Sequence, residues 1–411
     1  MKRRVVVTGM GAITPVGNNV EDFWGSLKEG KNGIDFIKSF DTENFKAKLA
    51  AEVKDFKPED YLDRKEAKRM DRFCQFAIAA SKEAIKDSNI DLESIDKNRF
   101  GVMIGSGIGG LKTMEDQIAV LNTKGPNRVS PLFIPMMISN MASGNTAILF
   151  GAKGTAECVA TACATGTNAV GNAFRLIRDG YEDYMLTGGA EASITPVALA
   201  GFSNLTALCT SDDKERASIP FDKERSGFVM GEGSGVLFLE SLDSAVSRKA
   251  KIYGEIVGYG STCDAYHMTA PAEGGEGAVR AIERALIDGN IKKEEVSYIN
   301  AHGTSTHYND RNETAAIKTV FGNLAYKIPV SSTKSMTGHL LGATGAIEAI
   351  ACIKALQDGF IPPTIGYKVK DEECDLDYVP NKGREKDLKY AISTSLGFGG
   401  HNAVLAFKKW E

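Results

Sequence analysis

The chain repeats itself. Phe174-Arg-Leu-Ile-Arg-Asp-Gly-Tyr181 has the pattern of Ile353-Lys-Ala-Leu-Gln-Asp-Gly-Phe360, with Gly180 and Gly359 set 179 residues apart. A Gly/Ala/Thr-rich stretch precedes each copy. A strand ending in glycines follows each, at Leu186-Thr-Gly-Gly189 and Leu396-Gly-Phe-Gly-Gly400. Such self-similarity limits the chain to folds made of two related halves, expected to meet near residue 250, with one half over 1–250 and the other over 251–411. The length of 411 residues agrees, because one ordinary core serves only about 100 to 200 residues. Moving Cys163 by the same offset lands on position 342, three residues from His339. A pseudo-twofold axis would then bring two helix starts together.

Short β-branched runs alternate with helix-length amphipathic segments, the pattern of an α/β protein with a largely buried sheet. Strands are expected at Arg4 to Thr8, Phe100 to Gly105, Asp183 to Gly188, Gly235 to Glu240, Tyr253 to Val257, Tyr298 to Ala301 and Ala403 to Phe407. Helices are expected at Arg72 to Asp87, Thr167 to Asp179, Glu276 to Asp288 and Gly345 to Asp358. Apolar residues at 43% and charged residues at 25% exclude disorder, collagen and coiled coil. The 43 glycines favour tight turns and a site built on loops. A net charge of -4 gives no overall attraction to nucleic acid. The start, Met-Lys-Arg-Arg before Val5, lacks the apolar core of a signal peptide, and no stretch reaches about 18 uninterrupted apolar residues. A cytoplasmic protein without membrane insertion is expected.

Seven cysteines, at 74, 158, 163, 209, 263, 352 and 374, include no Cys-x-x-Cys pair, which argues against a disulfide framework or zinc ribbon. Most should be small buried hydrophobes. Cys163 differs. It sits in Thr161-Ala-Cys-Ala-Thr-Gly-Thr167, just before a helix whose apolar face is Ala169, Val170, Ala173, Phe174 and Ile177. The unpaired N–H groups of a helix start stabilise a thiolate relative to the usual thiol pKa of about 8.5. His302, in Asn300-Ala-His-Gly-Thr-Ser-Thr306, follows an apolar strand. His339, in Lys334-Ser-Met-Thr-Gly-His339, precedes a second glycine-rich helix start. One thiol and two imidazoles make a nucleophile with two proton or hydrogen-bond partners. The same residue types could bind zinc, but they lack local ligand spacing.

Gly105-Ser-Gly-Ile-Gly-Gly110 follows a strand and fits the dinucleotide pattern Gly-x-Gly-x-x-Gly, yet no ribose-binding acid is evident after a second strand. Glu348 is the only charge between Leu340 and Ile353. Buried, it needs a cation or several hydrogen bonds; partly exposed, it needs neither.

Taken in order, these segments resemble the β-ketoacyl-acyl-carrier-protein synthases, in particular the elongating condensing enzymes of bacterial type II fatty-acid synthesis. The likeness spans the chain and adds Val7-Thr-Gly-Met-Gly11, Pro220-Phe-Asp-Lys-Glu-Arg-Ser-Gly-Phe228 and Gly397-Phe-Gly-Gly-His-Asn402. It implies a thiolase-like fold of two duplicated βαβ-rich halves in five αβαβα layers, and a homodimer. It implies a decarboxylative condensation of acyl- and malonyl-carrier protein with no cofactor needed for catalysis. Cys163 would hold the acyl group. His302 and His339 would promote decarboxylation, Lys334 would organise charge, and backbone N–H groups of Cys163 and Phe398 would form the oxyanion hole. Thr304, Thr306 and Thr269 match positions along the phosphopantetheine arm, while Ile108 and Phe202 match the acyl pocket. Lys65, Lys68 and Arg69 form a basic cluster suited to docking an acidic carrier protein. Asn300, Ala301, Glu348, Ser393 and Thr394 match a structural Na+ or K+ site.

Four departures from the family pattern stand near these motifs, one of them His401 where threonine is often found. Thr394 replaces a common asparagine, His307 a proline and Ile219 an arginine. A thiolase would carry a second cysteine near the C-terminus, and Gly397 to Asn402 holds none. A chain-length-factor partner would lack Cys163. A nicotinamide oxidoreductase would use the glycine motif.

Overall fold

The sheet is symmetrical about its own middle. In the computed structural model, which describes residues 2–411, the long strands are β1 (Val5–Ile13), β4 (Phe100–Gly105), β6 (Tyr184–Glu191), β7 (Gly233–Ser241), β8 (Gly254–Cys263), β9 (Val296–Asn300), β13 (Tyr390–Gly397) and β14 (His401–Lys408). Short β5 (Ala156–Glu157) and β10 (Val330–Ser331) lie at its two edges. Two small ladders, β2 (Asp35–Phe36) with β3 (Leu49–Ala50) and β11 (Phe360–Ile361) with β12 (Arg384–Glu385), stand apart. The order β10-β9-β13-β14-β8-β1-β7-β6-β4-β5 reads alike from the centre outwards. On each side two antiparallel pairings are followed by two parallel ones. β1 and β8 join the halves through Val5↔Ile256 and Val6↔Glu255.

The helices repeat the symmetry. α3 (Arg72–Ser88) lies on β1 so closely that a Cβ at Gly9 or Gly11 would stand 2.2 or 1.9 Å from the carbonyl oxygens of Ala84 and Ala80. α10 (Glu276–Asp288) meets β8 in the same way, where Cβ atoms at Gly258 and Gly260 would stand 2.2 and 2.0 Å from the oxygens of Ala285 and Ala281. Glycine is required at these four points of backbone contact. Between the half-sheets lie α7 (Thr165–Arg178) and α13 (Thr344–Asp358), each touching strands of both halves. Their starts meet: a Cβ at Gly345 would fall 2.0 Å from Thr167 Oγ1, and one at Gly166 2.8 Å from the Ala346 amide nitrogen. The layers run α3, sheet, α7 with α13, sheet, α10. The two half-sheets are continuous through β1 and β8.

The remaining helices are α1 (Val20–Glu29), α2 (Arg64–Ala67), α4 (Leu111–Lys124), α5 (Phe133–Met137), α6 (Met141–Phe150), α8 (Pro196–Asn204), α9 (Leu242–Ser247), α11 (His307–Phe321) and α12 (Lys334–Thr337). β1 runs five residues beyond its expected end at Thr8, because Asp87 and Glu83 of α3 accept the N–H groups of Met10 and Ala12 at 2.9 Å. Among the described residues no helix is long and apolar enough to cross a membrane. Cys74, Cys209, Cys352 and Cys374 are buried, as anticipated for most cysteines. Cys158 is only half-buried, and Cys263, at the end of β8, is exposed.

Candidate active site

The candidate nucleophile, Cys163, stands on a strained elbow. Ala162 takes a left-handed φ of 50°, and a single 3₁₀ turn, Ala162–Ala164, delivers Cys163 into the start of α7. The other half repeats the device. Leu341 has a φ of 47°, and the turn Leu341–Ala343 feeds α13, with Gly342 where the first half has Cys163. The duplicated scaffold therefore offers two helix starts and arms one of them.

The helix start does not leave Cys163 as a ready thiolate. Burial pushes the thiol up to about 12, and the nearby Glu191 carboxylate pushes the same way. Lys334 and the amide N–H groups of Phe398 and Cys163 pull it down without overcoming that cost. The resting residue is a thiol, a correction to the lowering expected from the helix end alone. Gly397 makes the approach of Phe398 possible, since a Cβ there would lie 2.7 Å from Thr161 O and 3.2 Å from the Cys163 amide nitrogen.

His302 follows β9 and His339 follows α12. Their rings meet edge to face with centroids 5.2 Å apart, and Phe228 flanks His339 at 5.3 Å. His339 Nδ1 lies 3.0 Å from Thr344 Oγ1, while Nε2 has no protein partner; His302 Nδ1 is likewise buried without one. Burial, with the charge of Lys334, holds both imidazoles well below their ordinary pKa, so both are neutral. Among the described residues no three His, Cys, Asp or Glu side chains converge as a metal site, which leaves the zinc reading without a ligand set.

Two buried carboxylates fix this geometry. Lys334, 1% exposed, donates to Glu348 Oε1 at 2.5 Å, so Glu348 is a fully buried partner rather than a surface helix residue. Burial raises Glu348 to about 7 against the pull of Lys334. Glu313 of α11, which the motifs did not reveal, accepts the N–H groups of His302 at 2.7 Å and Gly303 at 2.8 Å and the Thr394 hydroxyl at 2.6 Å. Two backbone donors and one side-chain donor on one carboxylate lock the His302 loop.

The oxygens nearby suit a hard cation. Asn300 Oδ1, Glu348 Oε2 and Ser393 Oγ are buried without partners, and Asn300 pairs with Ser393 across β9 and β13. Ala301 uses its N–H on Ser331 O, leaving its carbonyl as the atom it could offer. Thr394 spends its hydroxyl on Glu313 and the His302 loop.

Cys163, His302, His339, Phe398, Phe202, Thr269, Thr304 and Thr306 all line one cavity of about 370 Å³. Thr304 Oγ1 and Thr306 Oγ1 lie 2.8 Å apart. His307 lines the same cavity and is exposed, with Arg225 on its carbonyl at 3.1 Å. Ile219 is buried. Ile108 is not among the lining residues and is 39% exposed. Its glycine loop already holds a carboxyl group, since Glu191 accepts from Ser106 Oγ, Gly107 N and Ile108 N at 3.0, 2.9 and 3.3 Å. The same carboxylate accepts from Gly342 N at 3.1 Å. The amides that a dinucleotide pyrophosphate would need are taken. Lys65, Lys68 and Arg69 are exposed on and just after α2 and make no ion pair among the described residues, whereas Arg72 is bound to Glu232 at 2.7 Å.

Comparison with known proteins gives one answer at every level. A family model described as the N-terminal domain of β-ketoacyl synthase matches residues 2–245, and one described as its C-terminal domain matches residues 253–368. A 3-oxoacyl-[acyl-carrier-protein] synthase 2 of Synechocystis sp. is 58% identical over 411 residues, covering 100% of this chain and 99% of the relative. One from Staphylococcus aureus is 55% identical over 409 residues, covering 100% and 99%. Among solved structures, the ishigamide ketosynthase/chain length factor superposes with a TM-score of 0.94 at 37% identity over 100% of both chains. A type II polyketide acyl-carrier protein in complex with its ketosynthase bound to the hexaketide gives 0.93 at 38%, again over 100% of both.

Proposed function

Because this chain belongs to the β-ketoacyl synthase family, we infer that it joins the acyl group of an acyl-[acyl-carrier protein] to the two-carbon unit of a malonyl-[acyl-carrier protein]. The products are carbon dioxide, free carrier thiol and a 3-oxoacyl-[acyl-carrier protein] lengthened for fatty-acid synthesis. The observation that carries this reading is the meeting of one cavity-lining thiol with two neutral imidazoles that have unpartnered nitrogens.

The steps follow from that geometry. The sulfur of Cys163 attacks the acyl thioester carbon and gives up its proton. The resulting oxyanion is stabilised by the N–H groups of Cys163 and Phe398. Collapse breaks the old carbon–sulfur bond, the carrier thiolate takes up a proton, and the acyl group stays on Cys163. When malonyl enters, its carboxylate bond breaks, carbon dioxide leaves, and the electron pair becomes a thioester enolate. A neutral imidazole can donate to that developing oxygen without first losing a charge, which suits His302 and His339. A Thr344 hydroxyl donated to Nδ1 would leave the His339 proton on Nε2. The enolate carbon then attacks the acyl–Cys163 carbonyl, and collapse breaks the carbon–sulfur bond, expelling a Cys163 thiolate that takes up a proton from water.

No step changes an oxidation state beyond the loss of carbon dioxide, and the one proton consumed comes from water, so this reading calls for no redox or nucleotide cofactor. A structural Na+ or K+ would be held by Asn300, Ala301, Glu348 and Ser393, with Thr394 contributing less than an asparagine could. It would supply charge balance beside Lys334. Thr304, Thr306 and Thr269, which line the cavity, would bind the amides of the phosphopantetheine arm. Lys65, Lys68 and Arg69 offer positive charge to an acidic carrier. Cytoplasmic action belongs to the same reading, because the substrates ride on a water-soluble carrier. A homodimer is supported by Ile118, Leu121, Ile134 and Ile148, exposed on α4, α5 and α6, and by the open edge at β5. A second copy on that face would cover Ile108 and let it close an acyl pocket with Phe202. The test is incubation with acyl- and malonyl-carrier protein. Carbon dioxide and 3-oxoacyl product in equal amounts are expected, and release of neither contradicts the assignment.

A further inference from the structure

The left-handed Ala162 must be held by something, since a non-glycine residue adopts that conformation only where its surroundings over-determine it. The hydrogen bonds around it show the source. Thr161 N–H donates to Thr165 Oγ1 at 2.8 Å, and Ala164 N–H to Thr161 O at 3.1 Å, closing the turn from inside. One contact comes from outside. Asn168 Nδ2, a turn further along α7, donates to Thr161 Oγ1 at 2.8 Å. The other end of that amide is fixed by the opposite half of the protein, where Tyr259 of β8 donates its hydroxyl to Asn168 Oδ1 at 2.5 Å.

This chain of bonds is built rather than incidental. Asn168 is 4% and Tyr259 2% exposed. The phenol ring packs directly against α7 at Gly171, where any Cβ would come within 2.4 Å of ring carbons. The Arg175 guanidinium covers the ring at 4.4 Å from its centroid. Behind it, the Tyr259 N–H is tied to Asp288 Oδ2 at 3.1 Å, and Asp288 is itself held by Arg178 at 2.9 Å. Burial raises the phenol above its ordinary pKa, so it remains a donor. The Cys163 mechanism uses neither Asn168 nor Tyr259.

We propose that Asn168 and Tyr259 are positioning residues that clamp the Thr161–Ala162 elbow from across the interface of the two halves. They set the direction of the Cys163 sulfur and of its own N–H in the oxyanion hole. The proposal rests on Cys163 being the acylated nucleophile. It assigns the pair to the acyl-transfer half of the reaction, because His302 and His339 are positioned by Glu313 and Thr344 instead.

Tyr259→Phe removes one hydroxyl and keeps the ring. The full-length variant should load acyl groups from acyl-carrier protein onto Cys163 about five- to tenfold more slowly, read by mass spectrometry, with KM for the carrier unchanged. Carbon dioxide release from malonyl-carrier protein should stay within about twofold of the original. Thr161→Val, which breaks the far end of the same chain, should give the same split and serves if Tyr259→Phe fails to fold. Adding it to Tyr259→Phe should cost little more, as expected for one pathway of contacts. Equal loss of loading and decarboxylation, a change confined to KM, or full additivity would overturn the clamp. If the unaltered enzyme never acylates Cys163, the underlying assignment fails instead, and the two failures are told apart.

Discussion

Burial holds the Cys163 thiol up near 12, so at neutral pH only a small fraction is ionised without substrate. Alkylation by iodoacetamide should therefore climb about tenfold per pH unit from pH 7 to 10. A plateau reached near pH 7 would show that the helix start, not burial, governs the sulfur. Cys163, both histidines, Lys334 and the Phe398 turn were legible as motifs because each lies in a short run between regular elements or at the start of one, with Phe398 in the hairpin between β13 and β14 and His339 between α12 and α13, and sequence order alone displays such runs. Glu313, Glu191, Asn168 and Tyr259 were not. Their work depends on which backbone N–H or hydroxyl lies opposite in space, and nothing local marks Glu313 within Asn309-Asp-Arg-Asn-Glu313 as the anchor of a histidine eleven residues earlier. Ile108 shows the converse. Its motif pointed to a pocket, while the single chain leaves it at the surface.

α3 carries a pH-sensitive joint. Glu83 accepts the N–H groups of Ala12 and Val20 at 2.9 and 2.8 Å, closing an edge of β1, and burial raises its carboxyl from 4.5 to about 7. Between those values the folded chain keeps a proton that the unfolded chain has lost. Stability should then fall as pH rises through the window, with the full cost present above 7. Glu83→Gln loses one of the two bonds at every pH but carries no charge. Relative to the original protein it should gain up to about 3 kcal/mol between pH 5 and 8, followed by thermal or denaturant unfolding. A difference that does not change with pH would contradict the burial account. The elements read from sequence were three amphipathic helices packed on the sheet, α3, α7 and α10, and α13, which is buried on nearly every side but long at 15 residues. α6 escaped because it is apolar all round, with Ile148 78% exposed, and α11 because it buries Asp310, Asn312 and Glu313, inverting the usual pattern. Neither gives the one-sided stripe that marks a surface helix.

For the molecule as a whole, the repeat at an offset of 179 proved the most informative reading, since Ala162 and Leu341, and Gly166 and Gly345, are matched pairs at that spacing around the axis. Symmetry explains why the catalytic groups meet: strands and helices of two halves converge on one pair of helix starts. The exposed basic cluster lies outside the cavity and acts, in this account, only when the substrate is tethered to a large acidic carrier. Reversing Lys65 and Lys68 to glutamate should raise KM for acyl-carrier protein several-fold, more at low salt than at high, and leave small acyl thioesters unaffected. Equal KM values for both substrate classes would remove the patch from the interface. The central claim is that Cys163 carries the acyl group while His302 and His339 release carbon dioxide, and Cys163→Ala separates the two. With acyl- and malonyl-carrier protein supplied together, the variant should form no 3-oxoacyl product yet still evolve carbon dioxide from the malonyl substrate. Normal 3-oxoacyl formation by Cys163→Ala would contradict the account.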